Sequence, residues 1–189
     1  MIKTLLYTTC AIFLLTGCGE KSQTPKPRAY PRIPYPEKSY QAYHVEGCPF
    51  TFDFPAYAEI KVKDKPCWFD IYMPAFEARI HCSYLPVHSR AEHDDFVKDA
   101  FTIADKINAR ANYMEQAPIH NNHGVGGLSL TWTGPAASPV HFFVTDTTQH
   151  FFTAALYFDS KVQPDSLAPI IAFIQKDIDQ MISSFTWKY

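Results

Sequence analysis

From Pro49 onward, apolar and polar residues alternate with a period of two. Phe50, Phe52 and Phe54 share one side with Thr51 and Asp53 opposite; Phe69, Ile71 and Met73 oppose Trp68, Asp70 and Tyr72; Ala78, Ile80, Cys82 and Tyr84 oppose Arg79, His81 and Ser83. Each run predicts a half-buried strand, and Ile60–Val62 adds a short one between the first two. The period then changes to that of a helix. Ser89-Arg90-Ala91-Glu92 has the form of a capping box, and Phe96, Val97, Ala100, Phe101, Ala104 and Ile107 follow at helical spacing, predicting a helix from about 90 to 110.

Strand pattern returns after Asn121-Asn122 and the glycines at 124, 126 and 127. Leu128, Leu130 and Trp132, then Val140, Phe142 and Val144, then Phe152, Ala154, Leu156 and Phe158 read as an antiparallel meander. The last two strands carry Phe143, Phe151 and Tyr157 on their second side, so that side is expected to be covered as well. Asp165 or Ser166 caps a final helix with Pro169 in its first turn and a stripe of Leu167, Ile170, Ile171, Ile174, Ile178, Met181 and Ile182. Phe185-Thr186-Trp187 closes the chain as a short strand or a tail packed on the sheet. The order strands, helix, strands, helix predicts an α+β fold, an antiparallel β-sheet packed with two helices. By analogy it resembles the PsbP/Mog1-like sandwich, which bears on fold alone.

The first 40 residues read differently. Lys3 precedes an apolar run through Leu5, Leu6, Ala11, Ile12, Phe13, Leu14 and Leu15, and Leu15-Thr16-Gly17-Cys18 has the form of a lipobox. The run is about a dozen residues, short of the roughly 20 that span a bilayer. Residues 1–17 are therefore expected to be a lipoprotein signal peptide, with Cys18 the lipidated first residue of the mature chain. Several acyl chains, palmitate among them, at about 0.8 kcal/mol per buried methylene, make a stable anchor. Residues 18–40 contain Pro25, Pro27, Pro31, Pro34 and Pro36, a density that favours extended polyproline geometry and a tether of up to about 60 Å. Lys26, Arg28, Tyr30 and Arg32 are interleaved with those prolines. They form either part of a passive spacer or a stiff strip for docking a partner. Residues 41–189 are left as a single globular α+β domain.

The chain has 17 Lys+Arg against 19 Asp+Glu, and loss of residues 1–17 removes only Lys3 from that balance. A slightly acidic chain has no electrostatic footprint for nucleic acid. Of five cysteines, Cys10 lies in the signal and Cys18 carries lipid, leaving three for an oxidising compartment. Cys82 falls in register on a buried strand side, so Cys48 and Cys67 are the expected bridge, with Cys67–Cys82 or no bridge as alternatives. A loop of about 20 residues closed in this way contributes on the order of 3 kcal/mol.

No constellation points to catalysis. His120 and His123 flank a turn, His93 is expected to be exposed in a first helical turn, and His81, His141 and His150 fall on the polar phase of strands. The glycines at 124, 126 and 127 lack the lysine and helix of a phosphate loop, and no Gly-x-Ser-x-Gly elbow is present. Asp94/Asp95 and Asp177/Asp179 read as solvated helix charges. No catalytic residue, metal site or cofactor is expected. Two rival readings remain: a glycan- or lipid-binding module using Trp68, Tyr72 or Trp187, and a metal-dependent hydrolase built from the histidines.

Thr24-Pro25-Lys26-Pro27-Arg28-Ala29-Tyr30, Cys48-Pro49-Phe50, Pro66-Cys67-Trp68, Ala78-Arg79-Ile80-His81, Ala136-Ala137-Ser138 and Ala154 to Pro169, in that order and spacing, resemble the gliding motility lipoprotein GldD family of the Bacteroidota. The resemblance implies an envelope lipoprotein needed for gliding, working near the type IX secretion machinery without enzymatic activity or cofactor. It also supports Cys48 with Cys67 and gives Lys26–Tyr30 a role beyond spacing. The expected partners are the membrane, through Cys18, and other envelope proteins of the motility and secretion apparatus. With no acidic run after Cys18, the expected location is the outer membrane, facing the periplasm.

Overall fold

A computed structural model describes residues 33–159 and 164–188. Ten strands run β1 (Tyr40–Tyr43), β2 (Phe50–Pro55), β3 (Glu59–Val62), β4 (Phe69–Met73), β5 (Ala78–Pro86), β6 (Tyr113–His120), β7 (Gly126–Thr133), β8 (Val140–Thr145), β9 (His150–Phe158) and β10 (Thr186–Trp187), with helices α1 (Arg90–Asn108) after β5 and α2 (Pro164–Ser184) after β9. Strands β3-β4-β5-β9-β8-β7-β6 form a seven-stranded sheet, and β1-β2-β10 a smaller three-stranded one. Every pairing is antiparallel.

Register divides the large sheet into two sides. One row runs Phe69, Cys82, Ala154, Phe142 and Ser129; the next runs Asp70, His81, Ala155, His141 and Leu130 on the opposite side. The first side meets β2. Phe50 contacts Phe152 at 5.1 Å, Phe52 contacts Phe69 at 6.0 Å, and Phe185 reaches both Phe50 (5.6 Å) and Phe152 (5.1 Å). These rings are essentially without solvent exposure, as are Ile174, Ile178 and Met181 of α2. Burying each such side chain is worth roughly 1.5–3 kcal/mol, which makes this aromatic layer the main cohesive element. On the second side α1 covers only part of the sheet: Ala104 and Ile107 pack with Leu130 and Trp132, and Ala100 with Phe143 and Phe151. The expectation that the second side of the last strands is covered is met at those two phenylalanines.

Local chemistry explains where the elements begin and bend. The Ser89 hydroxyl accepts from the Glu92 amide at 3.1 Å, while the Glu92 carboxylate accepts from the His88 amide at 2.8 Å, closing the start of α1. Gly127 is required by packing, because a Cβ there would lie 2.0 Å from the Phe143 carbonyl oxygen.

Three features depart from the pattern. The sequence pattern assigns no element to residues 113–120, which are largely exposed and interrupted by Pro118; they form β6, an edge strand, where a missing N–H is tolerated on the unpaired side. β1 likewise lacks a two-sided pattern, because only Tyr43 of its four residues is buried. The domain's contacts also begin before residue 41: Tyr35 lies against Phe173 of α2 at 4.8 Å, and Lys38 pairs with Asp177.

Cys48 and Cys67 are joined, with Cα atoms 5.6 Å apart, tying the β1–β2 loop to the β3–β4 loop. Replacing Cys48 with serine is expected to lower unfolding free energy by on the order of 3 kcal/mol and to leave Cys67 alkylatable in the folded protein. Labelling of Cys67 in the unaltered protein contradicts the bridge.

Candidate functional site

The arm at residues 34–39 has no regular structure of its own and is held by a charge. Asp177 has 0 % exposure in the middle of α2. Lys38 Nζ donates to its Oδ2 at 2.6 Å and to the Phe173 carbonyl at 2.9 Å, and lies 3.3 Å from the centre of the Phe173 ring. The Tyr57 hydroxyl donates to the same Oδ2. Burial followed by the Asp177 charge pushes the Tyr40 phenol up to about 12 and Tyr57 higher, so both stay protonated donors. Burial also lowers Lys38, with Asp177 opposing that shift. Asp177 and Lys38 thus hold the arm at residues 34–39 against α2.

The part of the sheet that α1 leaves open carries a second polar group of residues. Asp70, on the side of β4 opposite Phe69, pairs with His81 Nδ1 at 2.5 Å and Lys63 Nζ at 3.1 Å. Arg79, 3.8 Å from Asp70, is turned mainly to Asp159 at 2.7 Å. Tyr72 stands beside Arg79 in a shallow recess with Lys61.

Between α1 and strands β5, β8 and β9 lies a cleft of about 240 Å³, continuous with a smaller recess through Ser83, Ile103, His141 and Thr153. Trp68, Phe96 and Phe151 wall it. The Trp68 indole N–H donates to the Tyr84 carbonyl at 2.8 Å, which fixes its ring. His141 is 3 % exposed, and burial lowers it to about 4, so it is neutral at physiological pH. On the other side of the sheet, between α2 and β6–β7, is a groove of about 590 Å³ lined by Ala117, Ser129, Thr131, Gln175 and Asp179. Asn121 closes one end of it by donating to the carbonyls of Ile182 and Phe185.

Cys18, Lys26, Arg28, Tyr30 and Arg32 lie outside the described residues. Cys82 is buried and burial pushes its thiol up, the state of an inert packing residue. Trp68 lines the cleft and Tyr72 the shallow recess, whereas Trp187 is core, 6 % exposed and stacked on His150 at 5.1 Å. Among the described residues no three His, Cys, Asp or Glu side chains are grouped as metal ligands, and no helix is long and apolar enough to cross a membrane.

Three readings of single residues are corrected. Asp177 is not a solvated helix charge: it sits three residues after Ile174 and four before Met181, on the buried stripe. His93 is buried against the Phe151 ring, and His141 is buried because α1 covers its strand phase. Of the residues that organise the site, Lys38 and Tyr57 carry no signal in the sequence, and Asp70, His141 and Asp177 read there only as polar surface positions. Only Asp177 had a signal there, as an acid breaking an isoleucine stripe.

A family model described as gliding motility lipoprotein GldD matches residues 20–187. No curated protein matches the chain. Among solved structures, the cyanobacterial PsbP (CyanoP) of Synechocystis sp. PCC 6803 is similar at 12 % identity and TM-score 0.48, covering 80 % of this chain and 94 % of that one. The Saccharomyces cerevisiae Ran-binding protein Mog1p is similar at 9 % identity and TM-score 0.48, covering 80 % and 96 %.

His141 sets a pH dependence. Its folded value of about 4 lies below the 6.5 of the unfolded chain, so its neutral burial stabilises fully above about pH 6.5 and is lost progressively between there and about pH 4. The loss is about 3 kcal/mol across that window. Urea unfolding at about pH 7 and about pH 4.5 is expected to show a clearly smaller drop in His141→Gln than in the unaltered protein. An equal drop contradicts the assignment.

Proposed function

From the premise that this chain belongs to the gliding motility lipoprotein GldD family, we propose that it is a lipid-held accessory factor of the motility and type IX secretion machinery, working by contact rather than by catalysis. The observation that carries this reading is the docked arm. Lys38 and Asp177 hold the segment that follows the proline series against α2, so the domain presents defined surfaces at the end of its tether. A contact protein gains from such pre-organisation, because orientation is set before the partner arrives.

Its charged residues support the same reading. Asp70 is occupied by His81 and Lys63, Arg79 by Asp159, and Asp177 by Lys38 and Tyr57. Groups spent on one another position structure rather than attack a substrate. Cys18 carries the lipid in this proposal, Lys26, Arg28, Tyr30 and Arg32 form a docking strip, and the outer membrane facing the periplasm is the location.

The test uses a strain whose colony spreading or type IX secretion depends on this chain. Cys18→Ala is expected to leave the membrane fraction and to abolish complementation. Arg28→Gly combined with Tyr30→Ser is expected to impair complementation while leaving the unfolding midpoint unchanged. Full complementation by Cys18→Ala overturns the anchored-factor reading, and full complementation by the double variant reduces the strip to a spacer.

A further inference from the structure

We propose that the outer edge of β6, together with the groove between α2 and β6–β7, takes up an extended partner polypeptide as an added strand carrying lysine or arginine at alternate positions. The proposal rests on the contact-protein reading above and names the surface used and the chemistry of its partner.

The large sheet ends at β6, which pairs only with β7. Asn121, directly after the strand, donates its N–H to the Val125 carbonyl at 3.1 Å across the turn to β7. Backbone groups alternate in direction along a strand, so the odd-numbered residues of β6 face β7, and Met114, Gln116, Pro118 and His120 turn their backbone groups outward. Pro118, which has no N–H to give, falls on that outward phase. The edge still offers the N–H groups of Met114, Gln116 and His120 and all four carbonyls, the template on which strand addition works.

The groove beside this edge decides what kind of strand fits. β7 places Gly127, Ser129 and Thr131 where its neighbour β8 places Val144, Phe142 and Val140 on the same side of the sheet. Small polar residues do not fill the space under α2, and about 590 Å³ is left open there. Glu115 and Ala117 of β6 point to that side as well. Alternate side chains of an added strand would enter the groove. They would meet a carboxylate from each wall, Glu115 from the sheet and Asp179 from α2, both exposed. Gln175 orients Asp179 by donating to it at 2.9 Å, and no lysine or arginine is among the described residues that line the groove. An acidic segment would be repelled, and an apolar one would strip water from these polar groups without return. A second copy of β6 fits poorly too, since it brings another Pro118 and another Glu115 to the same edge.

The experiment follows amide hydrogen exchange by NMR in full-length, lipidated protein in detergent micelles. The probe is the peptide acetyl-Thr-Arg-Thr-Lys-Thr-Arg-Thr-amide, with a matched peptide carrying glutamate in place of each basic residue. The basic peptide is expected to slow exchange at Met114 and Gln116 saturably, while the amides of Glu115 and Ala117, already paired with β7, do not change. Glu115→Lys is expected to weaken binding about fivefold. Gln116→Pro, which removes an outward donor at an exposed position, is expected to abolish the protection and to impair complementation in cells. Absence of saturable protection at Met114 and Gln116 overturns the proposal, as does equal protection by the glutamate peptide or unchanged binding in Glu115→Lys. Protection that grows with protein concentration and needs no peptide overturns it in favour of a second copy. Full complementation by both variants overturns the surface while leaving the anchored-factor reading intact, since that reading fails only through the Cys18→Ala result.

Discussion

A carboxylate with no access to water sits in the middle of α2, and the geometry of the chain's working parts depends on how it is neutralised. Removing one partner of a buried charge pair typically costs about 3–5 kcal/mol, because the remaining charge is stranded. Asp177 draws its partners from two separate segments, Lys38 from the arm and Tyr57 from the loop after β2. The polar interaction therefore acts beside the ring contact of Tyr35 with Phe173 in holding the arm to α2. Phe50, Phe52, Phe152 and Phe185 hold α2 and the small sheet to the large one, while Asp177 holds the arm to α2.

The large sheet then has unequal sides. One is covered by β2, α2 and Phe185 except at the groove between α2 and β6–β7. The other is only partly covered by α1, and the uncovered remainder holds the Asp70 group and the cleft above His141. A fold of this kind can offer surface chemistry on one side without weakening its core on the other. The bridge between Cys48 and Cys67 ties the loops beside Trp68, so the wall of the cleft is supported covalently as well as by the indole hydrogen bond.

Strands of alternating pattern, the capping box at Ser89 and the isoleucine stripe of α2 were legible because each is a local period imposed by one buried side. The missed elements lacked that condition. β6 is exposed along most of its length and contains Pro118, so nothing in its pattern marks pairing with β7. His141 and His93 read as polar surface because their burial is created by α1 and Phe151, elements distant in sequence. Lys38 was hidden in a proline-rich segment whose composition argues for a tether. Its partner lies 139 residues away, beyond anything a single sequence window can show. Asp177 alone was recoverable, as an acid at a core position of an apolar stripe.

The most direct measurement is a double-mutant cycle between Lys38→Met and Asp177→Asn, read by urea unfolding of the full chain. If the arm is held by the buried charge, the two changes are coupled by at least about 2 kcal/mol, within the range found for residues sharing one ion-pair network. Additivity to within about 0.5 kcal/mol would contradict the account, since it would mean that the arm and α2 are held together by something other than this pair.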